Sequence, residues 1–115
     1  MANPTAPATH LRIRDVDYTL AWDFQAIADA EEILGRSLIT GLSQKDLKAP
    51  PIKLVQAMLY ACLKKNHPTV TFPEAQAMVT LKNIGKIWGA VTDTWVTAMN
   101  EPDEDDPVGE AKVQN

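Results

Sequence analysis

Few residues in this 115-residue chain could carry covalent chemistry, and their spacing works against each of them. The thiol nucleophile or soft metal ligand would be Cys62, the only cysteine, and the imidazoles would be His10 and His67, the only histidines. A structural zinc site needs four such donors in short-range pairs, and a thiol nucleophile needs a base held beside it. Cys62 instead shares an apolar helical pattern with Val55, Met58 and Leu59, where a free thiol packs as a small hydrophobe. His10 adjoins a Pro- and Ala-rich arm, His67 precedes a helix-stopping proline, and neither stands at metal-site spacing from Cys62. Asp29, Glu31 and Glu32 read as a solvated helix face rather than a general acid–base pair. The expectation is a non-enzymatic protein with no catalytic residues, no metal and no cofactor.

The remaining chemistry is recognition. A short helix at 72–79 followed directly by a longer one permits a helix-turn-helix reading, and so a small DNA-binding regulator as an alternative. After Lys82, Asn83 and Lys86, however, the second helix turns apolar and offers little to phosphates or base edges. Charge points the same way. Residues 101–115 hold six acids and one base, whereas the other 100 residues hold nine acids and ten bases, so the net charge of −4 belongs to the tail. A nearly neutral body has no broad basic field for nucleic acid.

Gly85 and Gly89 lie inside the last helical pattern, where each costs about 0.8–1 kcal/mol relative to alanine. Four residues apart, they form a stripe that another backbone could approach, from the same chain or from a partner. Trp88, Val91 and Trp95 on that helix, Met58 on an earlier one, and Tyr18 and Trp22 near the N-terminus supply apolar area of the kind that tryptophan brings to binding hot spots. Tyr18, Trp22, Met58, Gly85, Trp88, Gly89, Val91 and Trp95 are therefore the candidate partner-binding residues, for a client or for a second copy. All of them fit a core equally well.

These residues must be positioned by a small fold. Residues 1–9 are expected to form a disordered arm, 10–100 a single folded domain and 101–115 a disordered acidic tail. No apolar run is long enough to span a membrane, the N-terminus lacks a signal region, and one cysteine allows no internal disulfide. A reduced, cytoplasmic setting is expected. Tyr18, Leu20 and Trp22 alternate with period two, and Leu11–Trp22 reads as a β-hairpin with a tight turn at Asp15-Val16, pairing Ile13 with Tyr18 and Leu11 with Leu20. A helix follows over Phe24–Leu34, with Asp23 as N-cap, Gly35 as C-terminal cap, and Phe24, Ile27, Ala30 and Leu34 on its apolar face.

Ser37–Gly41 reads as a short turn or second helix, and Ser43–Ala49 as polar loop. A helix opening at Pro50-Pro51 carries Val55, Met58, Leu59 and Cys62 inward and ends at Lys64-Lys65-Asn66. Thr71-Phe72-Pro73-Glu74 fits a capping box opening a helix through Val79. The last helix, Leu81–Met99, repeats apolar residues at Leu81, Ile84, Trp88, Val91, Trp95 and Ala98. This seam spans about two and a half heptads, short of a coiled coil, and could close one core or join two copies. The fold class is mainly α: about four helices with an N-terminal β-hairpin, and disordered termini.

The hairpin, then Asp23-Phe24-Gln25-Ala26-Ile27-Ala28-Asp29-Ala30-Glu31-Glu32-Ile33-Leu34-Gly35, then Leu59-Tyr60-Ala61-Cys62-Leu63 with His67-Pro68 and Thr71, resembles the tail assembly chaperones of long-tailed, siphovirus-like phages. The likeness is greatest to the branch also found in prophages and gene transfer agents, and covers roughly residues 11–99. Gln25 stands where relatives would carry asparagine, and the tryptophan-rich last helix and acidic tail have no counterpart in that pattern. The resemblance implies a small non-enzymatic protein of the host cytoplasm, absent from the mature virion. Such a protein binds the tape measure protein, keeps it soluble and helps recruit tail tube protein, in many relatives through a longer frameshifted form. A generic helical protein–protein adaptor is the remaining alternative.

Overall fold

The computed structural model describes residues 8–100. Two antiparallel strands, β1 (Ala8–Ile13) and β2 (Val16–Ala21), form a hairpin in which Thr9 faces Leu20, Leu11 faces Tyr18 and Ile13 faces Val16. The turn is therefore Arg14-Asp15, not Asp15-Val16, with φ of 51° and 69°. Positive φ at both central positions is the requirement of a type I′ turn; aspartate tolerates that region, and β-branched valine does not. The register moves by two residues from the expected one. Because two is the side-chain period, Leu11, Ile13 and Leu20 still face inward and are buried. The arm expected through Thr9 ends earlier, since Ala8 and Thr9 pair with Ala21 and Leu20. The rest of that arm, and the acidic tail, lie outside the described residues.

Helix α1 (Phe24–Leu34) starts where Asp23 Oδ1 accepts the Ala26 N–H at 2.8 Å, and stops at left-handed Gly35, as its caps predict. Its buried stripe is Ala26 and Ala30, with Ile27 and Leu34 half-buried. Phe24, expected on the apolar face, is 82% exposed. Alanine lets α1 lie close against its neighbour, and the bulky phenyl ring at the first helical position is left outside. Ser37–Gly41 is a turn, closed by Gly41 N–H to the Leu38 carbonyl at 2.8 Å.

Residues 44–48, expected as loop, form α2 (Gln44–Lys48). Ser43 Oγ accepts the Asp46 N–H while Asp46 accepts the Ser43 N–H, a capping box with aspartate in the place of the more familiar glutamate. Helix α3 (Ile52–Leu63) is the centre of the molecule, with eight of its twelve residues buried, including Leu54, Val55, Met58, Leu59 and Cys62. Helix α4 (Phe72–Met78) opens on the expected box between Thr71 and Glu74.

Helix α5 (Ile84–Asn100) begins three residues later than its apolar pattern suggests. Thr80 and Asn83 exchange side-chain-to-backbone hydrogen bonds, and this turn throws Leu81 outward to 91% exposure. The described residues thus hold five helices and one hairpin, where about four helices and a hairpin were expected, and the mainly α class stands.

Helix α1 packs on α3, α4 and α5 pack on other parts of it, and the hairpin lies across α3 and α5. The hairpin is fastened at several points. Trp22 meets Trp95 edge-on, with ring centres 5.1 Å apart, and its Nε1 donates to the Val91 carbonyl at 3.4 Å. Lys86 Nζ donates to the Arg12 carbonyl, and Arg14 to the Ala77 carbonyl. At the outer edge of β2, His67 Nε2 accepts the Thr19 N–H at 2.9 Å and the Tyr18 ring stands against the imidazole. The loop after α3 therefore covers an edge that would otherwise present an unpaired strand.

Candidate interaction surfaces

The aromatic and apolar candidates are assigned to the core. Trp22, Met58, Trp88, Val91 and Trp95 are all buried in one cluster, and Tyr18 is half-buried against it. The indole N–H groups of Trp22 and Trp88 both find carbonyl acceptors, Trp88 at Leu47 O (3.2 Å), so burial strands neither donor. As partner-binding residues, those five are corrected: a side chain packed inside α3, α5 and the hairpin gives a partner no surface. Gly85 and Gly89 go the other way. Both are exposed, and among the described residues a Cβ at either would meet nothing within 4 Å, so close approach of the described backbone does not account for them.

Among the described residues the titratable groups lie apart from one another or pair locally. Burial pushes the Cys62 thiol well above its ordinary range, and Sγ donates to the Leu59 carbonyl at 3.5 Å. Among the described residues no group of three or more His, Cys, Asp or Glu side chains could hold a metal ion. Asp23, Gln25, Asp29, Lys64 and Lys65 line a polar recess of about 200 Å³ between α1 and α3. Its main charges satisfy each other. Lys64 Nζ lies 3.3 Å from Asp29, whose carboxylate holds the ammonium above the usual lysine range. The expected solvated face of α1 is accurate only for Glu32, because Asp29 binds Lys64 and Glu31 binds its own chain.

Glu31 shapes the surface that the sequence reading missed. Its Oε2 accepts the Leu38 N–H at 2.6 Å, the Ile39 N–H at 3.2 Å and the Ser37 hydroxyl at 3.4 Å, folding the 37–41 turn back along α1. Between turn and helix is a groove of about 250 Å³ lined by Phe24, Ile27, Ala28, Glu31, Ser37 and Ile39. Phe24 and Ile39, at 82% and 59% exposure, are its walls. A legible signal existed, since Phe24, Ile27 and Ala28 have the i, i+3, i+4 spacing of one helical stripe. It points outward because the neighbouring alanine stripe takes the core.

Comparison of the chain with protein-family models, curated proteins and solved structures finds no match. Among the described residues, no helix is long and apolar enough to cross a membrane.

Proposed function

We propose that this protein is a non-enzymatic tail assembly chaperone of a long-tailed phage, prophage or gene transfer agent. It binds the tape measure protein in the host cytoplasm, keeps it soluble, helps recruit tail tube subunits and leaves before the virion is finished. The observation that carries this reading is the ordered resemblance over residues 11–99. Support comes from the positions of its signature residues, several of which are joints of the fold: Asp23 and Gly35 bound α1, His67 ties the loop after α3 to β2, and Thr71 caps α4.

The Phe24–Ile39 groove suits the client chemistry. It accepts one apolar side chain of an amphipathic helix against Phe24, Ile27 and Ile39, and one oxygen of its single carboxylate is already occupied by the turn. Copies joined to one another along one long helical client would add avidity to a weak single contact. Tube recruitment through a longer form is part of the same proposal.

The test is co-expression with the tape measure candidate encoded nearby, with pull-down and a solubility assay of the client. A soluble complex is expected, and Phe24→Asp or Ile39→Asp should lower capture about tenfold or more, about 1.4 kcal/mol, with the far-ultraviolet spectrum unchanged. Aspartate is acceptable in the first turn of a helix, so Phe24→Asp leaves α1 intact. An insoluble client with nothing co-purified would remove the proposal and return the protein to the adaptor or regulator readings. Salt-sensitive duplex binding would favour the regulator.

A further inference from the structure

Helix α5 has a second seam beside its buried one. Gly85, Gly89, Thr92, Val96 and Met99 repeat with spacings of four, three, four and three, displaced by one residue from the Ile84, Trp88, Val91, Trp95 and Ala98 set that faces the core. Val96 and Met99 are 50% and 42% exposed, and both glycines are open to solvent. Thr92 Oγ1 donates to the Trp88 carbonyl at 2.9 Å, so covering this residue leaves its hydroxyl hydrogen bonded. A sustained four-three spacing is the pattern of a helix that packs along another helix.

We propose that this face of α5 pairs antiparallel with the same face of a second copy of this chain. Size complementarity sets the direction. With Gly89 across from Thr92 of the second copy, Gly85 falls across from Val96, so each glycine receives a larger side chain and the two helices close evenly. A parallel pair would set glycine on glycine at one end and methionine on methionine at the other, and would splay.

Charge selects the same register. Lys86 and Asp93 flank the seam on one side, both are exposed, and neither belongs to an ion pair among the described residues. In the antiparallel register Lys86 of each copy lies beside Asp93 of the other, giving two symmetric pairs across a two-fold axis, as an isologous interface requires. The Lys86 bond to the Arg12 carbonyl uses one of its three donors. In this register the paired seam runs from Gly85 to Val96, about 16 Å, and Met99 extends past the start of the second copy's α5, which puts the contact below a standard interface and makes the dimer a micromolar-range or weaker association.

The experiment is sedimentation equilibrium of the chain alone across concentration, so it does not depend on the client. The weight-average mass should rise from the monomer value of 12.6 kDa toward twice that value. Gly89→Arg should weaken association at least tenfold without lowering the melting temperature, because its Cβ enters open space. Lys86→Glu and Asp93→Lys should each weaken association, and the two together should restore it. Direction is read by oxidising a mixture of Gly85→Cys and Val96→Cys copies, which should cross-link to each other; the buried Cys62 does not compete. A monomer throughout, a dimer indifferent to Gly89→Arg and to charge reversal, or cross-linking only between like copies would overturn the proposal.

Discussion

Glu31, Asp46, Asp15 and Cys62 show how far single side chains act here. Glu31 gathers three donors on one oxygen, and replacing it by alanine frees two backbone N–H groups at the turn. Glu31→Ala should cost about 1–3 kcal/mol in urea unfolding and should also loosen the Phe24–Ile39 groove. Asp46 is buried, and its hydrogen bond from Arg36 at 2.7 Å is the main force holding its carboxyl below the ordinary value of 3.8, against the opposing effect of burial. A carboxyl with a lowered folded-state pKa adds stability above its unfolded value, and that contribution fades as pH falls through the folded one. Asp46→Asn should therefore lower stability by about 0.5–2 kcal/mol at neutral pH, and the gap to the unmutated protein should narrow below about pH 4 in melts run across pH. Asp15 holds a left-handed backbone at φ 69° with only a 3.9 Å exposed ion pair to Arg12, so Asp15→Gly should raise stability by about 0.5–1 kcal/mol. Cys62, buried with its thiol held protonated, should resist maleimide until the chain unfolds.

At the scale of elements, the best test is the join between the hairpin and the loop after α3. His67→Ala removes the acceptor of the Thr19 N–H; it should speed hydrogen exchange at Thr19 and cost about 1 kcal/mol. The elements also show which signals can be read from sequence. Caps are local, so Asp23, Gly35 and Thr71 placed α1 and α4 closely. The short α2 went unread because its box carries aspartate and its five residues give no apolar period. Hairpin parity was legible while the register was not, because alternation fixes a face and turn geometry fixes the offset. The inward face of α1 was misread in favour of bulk, although close helix packing on α3 favoured Ala26 and Ala30. The eight candidate residues divide, five into the core and the two glycines onto the surface with Tyr18 between, because tryptophan in a chain this small fits both core and hot spot and only tertiary packing separates the two.

For the whole molecule, the consequence is that truncating the tryptophans cannot map the proposed client surface. Trp95 touches Trp22 across the join of hairpin and last helix, so Trp95→Ala should cost about 3–5 kcal/mol, with helicity and client capture lost together. The outward variants at Phe24, Ile39 and Gly89 separate recognition from folding. The same join orders events during synthesis. The hairpin is clasped by the last helix, through Lys86 to Arg12 in β1 and Trp95 to Trp22 just after β2, across more than 70 residues of chain. A nascent polypeptide still lacking residues 84–100 leaves the hairpin resting on α3 alone, without the α5 side of its packing, so closure of the core waits for the last helix. Until then the inward faces of the hairpin and α3 that α5 covers stay open, so a truncation before Ile84 trades one buried core for two unfinished faces.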